Sequence, residues 1–247
     1  MEEQKLNQTT KRRSFLGAMT KGAAALGLIS IASPLRLDSH QRESIAENKS
    51  PAIKGEADLW FDKIKGSHRV VYDATHPNEI FPFAWPKVFM LTNESTGTPA
   101  SDCGVVVVLR HTAICYAFLD VLWPKYNFGD VFKANEHGPA FQAADAATAS
   151  KTRNPFWNVK SGDFKLPGIG IVDIGISDLQ KSGVMFCVCE TAMFVYSGVI
   201  AGMMNLNAQD VLRDMKENMI SDVQIVPSGV WALGRAQEHK CAYIFAG

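Results

Sequence analysis

The sequence predicts an α/β protein: a mostly parallel sheet of about five strands with helices on both faces, preceded by a signal peptide. Three observations predict it. The apolar, largely β-branched runs at residues 104–109, 184–188 and 223–226 lack the alternation of a half-solvated strand, as expected of strands covered on both faces. Each run is followed by a stretch with helical spacing. Turn residues, most clearly Pro227, Ser228 and Gly229, stop the strands and start the helices.

The elements follow in order. Thr10-Lys11-Arg12-Arg13-Ser14-Phe15-Leu16 matches a twin-arginine export motif, and the Gly/Ala-rich segment after it ends in Ser30-Ile31-Ala32, a small-residue cleavage site. Residues 1–32 therefore read as a removable signal, with the twin-arginine translocase as a transient partner and the periplasm as destination. Residues 33–58 are polar and of mixed charge and read as a linker or arm, so the domain spans 59–247. Residues 69–74 form a first strand, 84–91 a helix and 104–109 a buried strand. Ile114, Phe118, Leu119 and Leu122 make an apolar stripe that predicts one helix over 111–126. Residues 133–181 break the rhythm with Gly138-Pro139, Asn154-Pro155 and Pro167-Gly168, and read as an insertion, either a lid or interface element or a plain surface loop. Gly168-Ile169-Gly170 lacks the strand and third glycine of a dinucleotide site. A strand then ends at Cys189, a helix covers 190–202, Asn207 caps another that runs to 219, and a strand at 223–226, a helix at 230–239 and a strand at 241–245 complete the order.

Composition narrows the function. The chain carries 25 basic and 25 acidic residues, without a basic band, which argues against a nucleic-acid partner. The five cysteines, Cys103, Cys115, Cys187, Cys189 and Cys241, are an odd set without C-x-x-C spacing, so at least one is free or pairs between chains. Cys187 and Cys189, two apart on a strand, share a face but stand too far apart for an unstrained bridge, unless the strand ends before Cys189. No cofactor is implied. A metal or haem site joining Cys189 to His111 or His76 has no supporting spacing.

Ligands of open parallel sheets bind beyond the carboxyl ends of the strands. Those ends bring Asp73 to His76, then Arg110 and His111, then Cys189 and Glu190, then Pro227, Ser228 and Gly229 toward one crevice. A cysteine at the start of a helix meets unpaired N–H groups and a positive dipole end, which favour the thiolate and raise its nucleophilicity. Cys189 and His111 are thus the catalytic candidates, with Arg110, Glu190, Ser228 and Gly229 as ligand-binding candidates. The alternatives are that both cysteines only pack, that His111 caps or packs, and that Ser228 is a plain helix cap.

Residues 183–192 (GVMFCVCETA) and 223–246 (VQIVPSGVWALGRAQEHKCAYIFA) resemble the DsrE/DsrF-like family of sulfur-relay proteins. Residues 106–111 (VVVLRH) and 154–156 (NPF) are similar to an uncharacterised branch that also carries twin-arginine signals. The resemblance runs from about residue 69 to 247, with the insertion as an addition. It implies a small parallel α/β fold, homo-oligomers, and a cysteine, matched by Cys189, that carries sulfur as a persulfide in some members, with a sulfur-donor or acceptor protein as partner. The expected function is an exported thiol protein that binds or transfers sulfane sulfur; the alternative is a non-catalytic periplasmic module for a small ligand or anion.

Overall fold

Five strands form one all-parallel sheet in the computed structural model, which describes residues 55–135 and 146–247. The expected signal peptide, with Arg12 and Arg13, and nearly all of the 33–58 arm lie outside the described residues. The chain runs through α1 (Glu56–Phe61), β1 (His68–Ala74), α2 (Phe81–Ser95), β2 (Cys103–Leu109), a 3-10 segment (His111–Ala117), α3 (Leu122–Tyr126), α4 (Phe128–Val131) and α5 (Ala146–Thr152). It continues through β3 (Lys165–Leu166), β4 (Gly170–Ile171), α6 (Ile176–Lys181), β5 (Met185–Cys189), α7 (Glu190–Met204), α8 (Ala208–Glu217), β6 (Val223–Val226), α9 (Gly229–Glu238) and β7 (Ala242–Phe245). The sheet order is β6-β5-β2-β1-β7, and β3 and β4 form a separate antiparallel hairpin.

The central strands β2 and β5 are apolar along their length because both of their faces are covered. Val70, Tyr72, Val105, Val107, Leu109, Phe186 and Val188 point into one core, while Val71, Val106, Val108, Cys187 and Val226 point into the other. The second core is closed by α1 and α9 through Trp60, Phe61, Ala232, Leu233 and Ala236. The central strands are therefore buried on both faces while edge strand β7 stays exposed, and each buried Val or Phe contributes roughly 1.5–3 kcal/mol of transfer free energy. Gly183, with φ +93°, makes the turn that feeds β5.

Three expectations are corrected. The fold begins before Leu59: α1 starts at Glu56, and Asp58 pairs with Arg235 of α9 at 2.8 Å. α2 outruns residues 84–91 because Pro82 lies in its first turn, where no N–H is needed, and the helix absorbs Pro86 at the loss of one bond. The single helix over 111–126 is instead a 3-10 segment, an extended residue at Phe118 and the short α3. Its backbone groups are claimed from elsewhere: Asn154 Nδ2 donates to the carbonyls of Tyr116 (2.9 Å) and Phe118 (3.0 Å), and Leu119 N–H donates to Asn218 O at 2.9 Å.

The described part of the 133–181 insertion is neither lid nor surface loop. Phe156 is buried and stacks on Phe83 at 4.1 Å and on Phe164 at 5.1 Å between ring centroids. Leu166, Val172, Ile174, Ile176 and Leu179 join the same core. The insertion completes the first face of the sheet.

Candidate functional site

The carboxyl ends of the strands gather the chemistry. Leu109 pairs with Val188 and Cys189 with Val226, so Arg110, Cys189 and Pro227 follow one another across the same edge of the sheet, in parallel order. Thr191 fastens β5 to β6 there, donating its N–H and its hydroxyl to the Pro227 carbonyl at 3.3 and 2.8 Å.

Cys189 is the N-cap of α7. Its sulfur accepts the Ala192 N–H at 3.3 Å, the contact a serine or aspartate cap makes with its oxygen, and the side chain is 6% exposed. A negative charge on that sulfur faces an N–H and the positive end of a fifteen-residue helix. Cys187 belongs to the other core, against α9, whereas Cys189 packs with the first core beside Ala192 and Met193. The expectation that the two share a face is thus corrected: the side chains join different cores, although Cys189 stays extended and paired with Val226 as it caps the helix.

The other four thiols are pushed up. Burial does this to Cys115 and Cys187, with the neighbouring Cys189 adding to the effect on Cys187. Burial raises Cys241 to about 11, and burial followed by the Asp102 charge raises Cys103.

Arg110 is held rigidly beside the sulfur. Its Nε and Nη2 donate to the two Asp73 oxygens at 2.6 and 2.9 Å, and Tyr243 Oη donates to the same carboxylate at 2.8 Å. Asp73 is 1% exposed, so this is a buried carboxylate satisfied by a forked guanidinium and a phenol. The hydrogen bond that Arg110 donates to Asp73 is the main cause that raises the Arg110 pKa, and the Cys189 charge contributes last. The guanidinium is therefore permanently charged at the strand end that also holds Cys189.

Gly229 lets Arg110 lie there. A Cβ on this first residue of α9 would come 2.5 Å from Arg110 Cβ and 2.7 Å from Cδ, so only glycine permits the approach. Ser228 is the cap of α9, its Oγ accepting the Trp231 N–H at 3.2 Å. Glu190 turns away to Lys216 of α8 at 2.6 Å, an exposed pair worth little in stability.

His111 takes a left-handed backbone conformation, φ 51°, and its exposed ring lies against α7, with Nε2 3.3 Å from Tyr196 Oη. Burial pushes the Tyr196 phenol up, with Cys115 adding, so the phenol keeps its proton. The hydrogen bond of the His111 ring goes to Tyr196, and that of the Cys189 sulfur comes from Ala192. The structure thus brings together Cys189, Arg110 and Gly229, leaves Ser228 and Glu190 in structural contacts, and directs His111 to the neighbouring helix.

No family model and no curated protein matches this chain. Among solved structures, a protein of unknown function from Methanobacterium thermoautotrophicum, MTH1491, is similar over 72% of this chain and 99% of its own, at 14% identity and a TM-score of 0.33.

The sequence places Asp73 at a strand end facing the crevice without giving it a role, and Tyr243 escapes it altogether. The signal for Asp73 is a lone carboxylate ending an apolar strand, which needs a cationic partner; Tyr243 lies 170 residues away and carries no local signal. Among the described residues no three His, Cys, Asp or Glu side chains converge as a metal site needs, and no helix is long and apolar enough to cross a membrane. A cleft of about 990 Å³ lies at the opposite, amino-terminal edge of the sheet, lined by Trp60, Lys63, Lys65, Cys103 and Lys181; it does not reach the thiol.

Proposed function

We propose that this protein is an exported, DsrE-like thiol protein that accepts sulfane sulfur on Cys189. The observation that carries the reading is the Cys189 sulfur itself, which receives the Ala192 N–H at the start of α7 with the Asp73-anchored Arg110 beside it. In the proposed step the Cys189 thiolate attacks the outer sulfur of a donor persulfide, R–S–SH. A new S–S bond forms to Cys189, the donor S–S bond breaks, and R–S⁻ leaves and takes the proton that the Cys189 thiol gave up. No net oxidation occurs. The low exposure of Cys189 suits a terminal sulfur atom better than a bulky substrate.

Intact-mass measurement of the mature protein after exposure to a low-molecular-weight persulfide tests this. A gain of about 32 mass units, one sulfur atom, is expected in the parent and not in Cys189→Ser. A gain that survives in Cys189→Ser, or none in the parent, overturns the reading; anion binding at Arg110 and Gly229 without sulfur transfer is then the remaining function. Export by the twin-arginine route is part of the same proposal and rests on Arg12 and Arg13. Changing both to Lys is expected to hold the protein in the cytoplasm, and unchanged export removes that part.

A further inference from the structure

Among the described residues, helix α7 is only half covered. Ala192, Met193, Ser197, Ile200 and Ala201 are buried, while the opposite half faces outward. That outward half is apolar: Phe194 is 60% and Met203 67% exposed, with Val195 and Val199 beside them, and residues 191–206 contain no Asp, Glu, Lys or Arg. With Met204 and Leu206, which are also exposed at its end, the surface amounts to roughly 500 Å² of apolar area, at the upper end for a patch on a monomer.

The relief of this face says what covers it. At four-residue spacing the outward side chains form two rows. One is Phe194, Gly198 and Gly202, where a Cβ on either glycine would meet nothing within 4 Å, so the row is a groove behind an aromatic stop. The other is Val195, Val199 and Met203, a ridge. A two-fold axis running along the helix turns the ridge of one copy onto the groove of a second and the reverse, so both contacts form at once. An axis across the helix sets ridge on ridge and groove on groove.

From this self-complementary relief we infer that the outward face of α7 is the contact surface of a homodimer, with the two helices roughly parallel. Both copies together bury roughly 1,000 Å², the area at which a specific interface begins. Since α7 starts at Cys189 in each copy, the arrangement puts the two thiols at the same end of the interface.

Sedimentation equilibrium of the full mature protein tests it. The parent is expected at twice the chain mass, and Gly202→Leu, which fills the groove, and Val199→Asp, which charges the ridge, are each expected to weaken association about a hundredfold or more while leaving the circular dichroism unchanged. Thr191 lies between the rows at the start of the helix, and Thr191→Cys is expected to give a disulfide-linked dimer on mild oxidation. A monomeric parent overturns the proposal, whether the face is then covered by another part of the chain or by nothing. So does a dimer indifferent to both substitutions, and a dimer in which Thr191→Cys does not couple overturns the parallel axis.

Discussion

At the scale of residues, the site is set by which groups each side chain has to satisfy. Asp73 ends an apolar strand and cannot remain an unpaired buried carboxylate, so it draws in Arg110 and Tyr243, and that demand fixes the guanidinium near Cys189. The thiol in turn serves a structural need, the capping of α7, with an atom that is also a nucleophile. Alkylation of the folded protein near neutral pH is expected to mark Cys189 at least about ten times faster than the other thiols, all four of which are pushed up. Arg110→Gln is expected to slow that reaction about three- to tenfold by removing the positive charge, while His111→Gln leaves the rate unchanged, because the imidazole bonds to Tyr196. Quantitative peptide mapping over time checks both; a His111 effect as large as that of Arg110 shows that the imidazole acts on the sulfur. Cys189, Arg110 and Gly229 were legible because each stands immediately at the end of a strand or the start of a helix. Tyr243 was not, since only the pairing of β7 with β1 brings it to Asp73.

At the scale of elements, local pattern held where the chain could satisfy its own backbone and failed where it could not. Residues 111–126 have the spacing of one helix, yet the carbonyls of Tyr116 and Phe118 bond to Asn154, and the Ala117 carbonyl accepts the Ile220 N–H at 2.9 Å. Asn154 also accepts the Phe156 N–H at 3.0 Å on Oδ1, so one buried amide makes three side-chain hydrogen bonds and ties the insertion to the sheet face. Asn154→Ala leaves two carbonyls and an N–H without that partner, and is expected to cost about 2–4 kcal/mol. In a domain of this size that lowers the melting temperature by about 5–15 °C. Calorimetry checks it, and a melting temperature within a degree of the parent shows that the insertion does not hold the fold.

At the scale of the whole molecule, the buried thiols make stability depend on alkaline pH. The sign is set by their upward shift: Cys241 keeps its proton in the folded state until about 11, and Cys115 and Cys187 are displaced in the same direction by burial. Below the ordinary thiol value of about 8.5 both states hold the proton, and the full stability is present. Above it the unfolded chain releases protons that the folded one retains, so stability falls as pH rises toward 11. The melting temperature is expected to drop between pH 8 and 10.5, with a shallower slope in Cys241→Ala; equal values at the two pH values show that the thiols are not held as described. The sequence by itself determined an α/β architecture with a mostly parallel sheet, which the structure makes parallel throughout, since short β-branched runs followed by helical spacing admit few other arrangements and are local in origin. It also determined where the strand ends, and so Arg110 and Cys189, would meet. Only the tertiary structure decided that Arg110 is clamped by Asp73 and Tyr243, that His111 turns to Tyr196, and that the 154–179 segment fills the core. Those outcomes depend on side chains up to 170 residues apart competing for the same buried donors and acceptors, and no window along the chain contains both partners.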